Sequence, residues 1–222
     1  MSTGRPSEAL AELRLANELD YLNHLPLNGI GWIYSNLRQY DKALEYRQDV
    51  WDLKPGFAVG PLARIEYNVA MQQGRYAEAA KVAEAAYRET GSSGDFLRRL
   101  HAEWRLGNQE EVYSVYDSLR STGELQRWEQ DNLLQAISIY GIMGERDRIL
   151  DLLEMAYEHP RIWFISLSRQ AVYDPILDFL RADPRFKALM QRMGVTEVFD
   201  ENGNLLQPLD ETLEAYNAPG SR

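Results

Sequence analysis

Residues 27–55 read LNGIGWIYSNLRQYDKALEYRQDVWDLKP. Leu27, Ile30, Gly31 and Tyr34 repeat at helical spacing, Arg38-Gln39-Tyr40 interrupts them, and Ala43 opens a second helical stretch that Pro55 closes. Gly31 and Ala43 carry little or no side chain, so two helices built on them can approach closely and leave Tyr34 to fill the space. Tyr40 wedges the turn, and Pro55 stops the second helix because it cannot continue one. The stretch predicts a helix–turn–helix unit.

The unit recurs. The small or apolar residue of each second helix appears as Ala9, Ala43, Ala79, Val112 and Ile149. Its successor seven residues on appears as Ala16, Val50, Ala86, Leu119 and Ala156. The turn before the second helix recurs as Arg38-Gln39-Tyr40, Gly74-Arg75-Tyr76, Gly107-Asn108-Gln109 and Gly144-Glu145-Arg146, with glycine suited to a left-handed position. Unrelated helices would not keep both series in step. The expected pairs are about 25–37 with 41–53, 61–73 with 77–89, 94–106 with 109–121, and 126–142 with 146–158. A lone second helix, 7–20 with Ser7 as its N-cap, precedes them. Its missing partner suggests either a one-helix cap or a parent protein that reads further upstream, the latter favoured because Leu10, Leu13 and Leu15 otherwise lack some of their cover.

This pattern resembles the tetratricopeptide repeat: a large apolar residue, Leu-Gly or its equivalent, Tyr, a small Ala and a closing Pro. Residues 27–55 depart from it at Arg47, where an aromatic is expected. The repeats cover most of 7–160. The resemblance implies an all-α, right-handed α-solenoid of about four full repeats, a leading half-repeat and a helical cap.

After His159-Pro160 the period breaks. Residues 161–170 read as a fifth first helix, Asp174-Pro175 starts a short helix through Leu180, and Asp183-Pro184 starts another through Met193, with Gly194 as terminator. Residues 160–195, with Asp183-Pro184-Arg185-Phe186 and the following Leu189 and Gly194, resemble the closing segment of bacterial tetratricopeptide regions. Such regions sit behind winged-helix regulators, protein kinases or nucleotide cyclases. The resemblance makes 161–195 a cap in which Phe186, Leu189 and Met190 cover the last pair. The acidic tail 196–222 adds a hairpin around Asn202-Gly203 and one short helix.

Composition narrows the function. The 222 residues are 45% hydrophobic and 26% charged, ordinary for a globular protein, with a net charge of −10. An acidic chain repels phosphate backbones, which argues against nucleic acid as a partner. No cysteine is present, so disulfide and thiolate chemistry are absent. No apolar run approaches 18 residues and Met1–Pro6 is not a signal peptide, which predicts no membrane contact by this chain itself. The expected compartment is the cytoplasm, or the periplasm if the chain belongs to a membrane-anchored protein.

Residues able to do chemistry do not converge. His24, His101 and His159 lie on different repeats, with no metal-ligand spacing. There is no Gly-x-Ser-x-Gly elbow and no phosphate loop. Asp200, Asn202, Asn204 and Glu211 mimic part of a calcium loop, but Leu205 stands where its sharp turn needs glycine. No metal, no cofactor and no catalytic residues are expected.

What the resemblance implies instead is a concave groove lined by successive first helices. Helical spacing places Asn28, Trp32 and Asn36 there, then Arg64, Asn68 and Met71, then His101, Trp104 and Arg105. Amides can hold an extended backbone, arginines can meet a carboxylate and tryptophans can anchor an apolar side chain. Trp32 and Trp104 equally suit packing between adjacent helices. The Lys/Asn clamp of chaperone-binding members is not reproduced, because Ile65 and Gly94 occupy its positions. The expected function is a non-catalytic protein-interaction module binding a protein or peptide partner, or a second copy of itself. The alternative is the sensory or regulatory domain of a larger bacterial signalling protein.

Overall fold

The computed structural model describes residues 6–54, 59–158 and 174–193, and all regular structure among them is helical. In chain order the α-helices are α1 (Pro6–Leu19), α2 (His24–Asn36), α3 (Tyr40–Leu53), α4 (Val59–Gln72), α5 (Tyr76–Thr90) and α6 (Ser93–Leu106). Then come α7 (Gln109–Ser121), α8 (Glu124–Asp131), α9 (Leu133–Met143) and α10 (Arg146–Glu158). A 3-10 helix (Pro175–Leu180) and α11 (Pro184–Met193) follow. Pro55, the stretch 161–170, Gly194 and the tail 196–222, for which the sequence predicts a helix stop, a first helix, a terminator and a hairpin, lie outside the described residues.

Four of the turns are built alike. Arg38, Gly74, Gly107 and Gly144 all have positive φ, at 61°, 71°, 92° and 73°. The next residue's amide then reaches back to close each helix: Gln39 to Tyr34, Arg75 to Ala70, Asn108 to Glu103 and Glu145 to Tyr140, at 2.8–3.0 Å. This is the Schellman closure, which satisfies carbonyls that the helix end would otherwise orphan. Glycine enters the left-handed region without steric cost, whereas Arg38 carries a Cβ there.

The helices fall into two compact units, Met1–Leu53 with Ala156–Arg222, and Lys54–Met155. In the first, α2 packs between α1 and α3. A Cβ on Gly29 would sit 3.0 Å from Leu13 Cδ1, so α1 and α2 approach closely there and a larger residue would require the Leu13 side chain to shift. Tyr34 is fully buried, stacks on Tyr46 at 5.6 Å and accepts a 2.8 Å hydrogen bond from Arg14 Nη2. Leu10, Ile30, Ala43 and Val50 complete this layer, and Leu177, Leu180, Phe186 and Leu189 are buried in the C-terminal part of the unit. Asp174 and Asp183, each just before the proline that starts its helix, cap the helix ends, accepting from Ile176 N at 3.0 Å and Arg185 N at 2.8 Å.

In the second unit α5 lies against both α4 and α6, and Ala70, Ala79, Ala83 and Ala102 let Tyr67 and Met71 pack between them. α6 also touches α7 and α9, and α8 bridges α7 and α9.

Three expectations need correction. The helix expected over 126–142 is two helices, broken at Asn132, whose φ and ψ are −137° and 56°. In one continuous helix residues 129 and 140 would stand roughly 16 Å apart along the axis. The break instead lets Glu129 accept from both the Tyr140 hydroxyl and Arg148 of α10. Second, α1 begins at Pro6, so Ser7 is a first-turn residue and not the cap, and its buried Oγ has no hydrogen-bond partner. Third, the small-residue series holds at Ala43, Ala79, Val112 and Ile149, all fully buried, and at Val50, Ala86 and Ala156, but Ala9, Ala16 and Leu119 are only half-buried. On α1 Leu10 is buried in place of Ala9, beside Pro6 and Ser7.

Candidate binding surface

His101 and Arg105 stand one helical turn apart on α6 and therefore share a face. Tyrosines of the preceding helix pair meet both. The Tyr67 hydroxyl of α4 lies 3.0 Å from His101 Nδ1. Arg105 donates to the hydroxyl of Tyr76, at the start of α5, and its guanidinium lies 4.6 Å from that ring's centroid. An arginine stacked on an aromatic face is oriented without losing its charge.

Trp104, the adjacent residue, turns elsewhere. Its ring meets Tyr113 of α7 edge-on, with centroids 5.5 Å apart and planes at 70°. The helical step of about 100° between neighbours puts Trp104 and Arg105 on different faces. On α4, Arg64 is half-buried, Asn68 is buried and Met71 belongs to the core between α4, α5 and α6. This stripe thus runs from partial exposure at Arg64 into the interior. In the first unit Asn28 and Trp32 are half-buried, while Asn36 is buried with no hydrogen-bond partner for its Nδ2.

A shallow depression of about 530 Å³ adjoins the Arg105–Tyr76 contact in sequence, lined by Arg75, Tyr76, Glu78, Lys81 and Leu106 among others. Arg75 pairs with Glu78 across its wall. Leu106 is 42% exposed, an apolar surface next to cationic Lys81. Such a site can take a short apolar group against Leu106 with a carboxylate toward Lys81, while the lining Glu78 is already paired with Arg75.

The sequence reading missed a polar cluster in the first unit. Arg38 Nη2 and Arg181 Nε both donate to Asp178 Oδ1, the latter at 2.8 Å. Arg181 is buried; burial lowers its pKa, opposed by Asp178. Burial also raises the pKa of Tyr40, whose hydroxyl has no hydrogen-bond partner, with Arg38 acting in the opposite direction. The one visible signal was Arg38 itself, an arginine where the three equivalent turns have glycine.

Among the described residues no three His, Asp or Glu side chains are grouped to hold a metal ion, and no helix is long and apolar enough to cross a membrane. No family model, curated protein or solved structure matches the chain.

Proposed function

We propose that this chain is a non-catalytic protein-interaction module, an α-solenoid of the tetratricopeptide type. The observation that carries the reading is the set of four like turns, whose left-handed residues stand at 38, 74, 107 and 144 and whose amides close the preceding helices identically. Repeated helix pairs present extended surfaces whose side chains vary freely while the scaffold is kept, which suits peptide recognition. The surface of first choice is the α6 face with His101 and Arg105, extended by Lys81 and Leu106. The partner segment carries a carboxylate beside an apolar side chain.

Affinity capture from the source cell tests this, comparing wild type with the double substitution Lys81→Glu/Arg105→Glu at two exposed cations of this surface. A partner retained by wild type and lost from the variant, with an unchanged melting curve, supports the reading. Identical captured sets move the function off this surface.

A second reading, the regulatory domain of a larger bacterial signalling protein, draws on the C-terminal segment. Its Asp174 and Asp183 caps and its buried Phe186, Leu189 and Met190 suit the closing element that the sequence resembles. Reading the gene on either side of this sequence distinguishes the two.

A further inference from the structure

One end of the first unit is apolar. Short turns join α1, α2 and α3, and Gly29 against Leu13, Arg14 against Tyr34 and Tyr34 against Tyr46 are antiparallel pairings, so the C-termini of α1 and α3 and the N-terminus of α2 lie at the same end. There Leu19, Tyr21 and Leu22 are 80%, 70% and 67% exposed, and Leu25, Trp51 and Leu53 are exposed as well. Exposed large apolar side chains grouped at one end of a fold are a recognised mark of an interaction site. The backbone here is ordinary and closed: Asp20 N donates to Ala16 O, Asn23 N to Asp20 O, and the Asn23 side chain caps α2.

The rim selects the occupant. Glu18, Asp20, Asp49 and Asp52 are exposed at this end, against Lys54 alone among the exposed residues of the same helix termini. A second copy docked about a two-fold axis would set these carboxylates against themselves. An anionic membrane surface would be repelled, and so would the chain's own acidic tail. We infer that this end docks a cationic amphipathic helix of a partner protein, its leucine-type face on Leu19, Leu22 and Leu25 and its Lys or Arg flanks on the acidic rim. This surface is separate from the α6 face proposed above and does not depend on it.

The test uses the full chain and two fluorescein-labelled 18-residue amphipathic peptides with the same leucine face, one flanked by lysine and one by glutamate. Anisotropy at physiological salt should show the lysine peptide binding at least tenfold more tightly. Leu19→Gln/Leu22→Gln, neutral and at exposed positions, should weaken it at least tenfold with unchanged melting. Glu18→Lys/Asp52→Lys should reverse the preference between peptides. Equal binding of both peptides, or full binding to the glutamine variant, overturns the proposal. So does a wild-type dimer in sedimentation that the glutamine variant abolishes, which assigns the surface to a second copy. Flotation with phosphatidylserine vesicles that this variant loses assigns it to lipid and equally overturns the proposal.

Discussion

Arg38, in a left-handed turn at φ 61°, donates to Asp178, 140 residues further along the chain. The same carboxylate oxygen accepts from Arg181, so one aspartate is shared by two guanidinium groups. Removing either end of the Arg38–Asp178 contact therefore has unequal consequences. Arg38→Gly loses a partly exposed ion pair, whose worth water screens, but relieves a left-handed Cβ; it should change stability by less than about 1 kcal/mol. Asp178→Ala takes a carboxylate from the buried Arg181 as well and should cost more, about 2 kcal/mol. Urea melts of the two variants check the order. Equal losses would show that the Arg38 bond alone carries the contact.

The glycine turns make the complementary case. A Cβ at Gly74, Gly107 or Gly144 would meet nothing within 4 Å, so only backbone conformation opposes it. Each Gly→Ala change should cost about 1 kcal/mol. Asparagine, which tolerates the left-handed region, should cost less at the same site. Thermal melts of Gly107→Ala and Gly107→Asn are sufficient, and equal stability of alanine and wild type would rule out a conformational role for the turn.

Ala43 and Ala79 are fully buried, whereas Ala9 is half-buried. Phenylalanine at either of the first two should overpack the helix contact and cost about 1–3 kcal/mol. Ala9→Phe should cost less than both. A melting temperature unchanged for Ala43→Phe and Ala79→Phe would refute the repeat register itself.

Helices, their turns and the buried small residues were legible because each is a local property. Gly74, Gly107 and Gly144 announce left-handed closures, and apolar spacing does the rest. The break at Asn132 is marked by no Pro or Gly, and its one sequence signal, the four polar residues Glu129-Gln130-Asp131-Asn132 between Trp128 and Leu133, also suits the exposed face of a continuous helix. What secures it is Glu129, bonded to residues 11 and 19 positions away. The same limit hid Asp178: one sequence does not show which distant carboxylate a turn arginine meets. On the candidate surface, spacing correctly set His101 and Arg105 on one face, but which helix Trp104 turns toward depended on Tyr113.

Glu129 should make part of the stability pH-dependent. Burial raises its pKa, but hydrogen bonds from Arg148 and Tyr140 outweigh burial and hold it below the ordinary value of 4.5. A carboxyl depressed in the folded state stabilises it above the unfolded pKa, and that contribution fades as pH falls through the folded one. Because Arg148 is well exposed, Glu129→Gln should cost only about 1 kcal/mol at pH 7. The gap to wild type should persist down to about pH 4.5 and shrink below it. Urea melts at pH 7, 5 and 3 follow the gap, and a constant difference would place the loss in packing.

Phe186 tests whether the C-terminal helices are part of the first unit or an appendage to it. Its side chain is fully buried, and α11 is tied to the end of α10 by the Tyr157 hydroxyl, which donates to Arg192 O at 2.7 Å, and by the Arg192–Glu158 pair. Phe186→Ala should cost about 3–5 kcal/mol, the usual range for emptying a phenylalanine site. Energy alone does not locate the effect, so amide hydrogen exchange gives the deciding measurement. Residues that open together lose protection together. If Asp178 joins the C-terminal segment to the Arg38 turn as one cooperative body, amides of α2 and α3 should exchange faster along with those of α11. The increase should be about a hundredfold or more for a destabilisation of this size, where exchange is governed by the same opening. Faster exchange confined to residues 174–193 would mean that the segment opens alone and that Arg38–Asp178 is a surface contact without structural consequence.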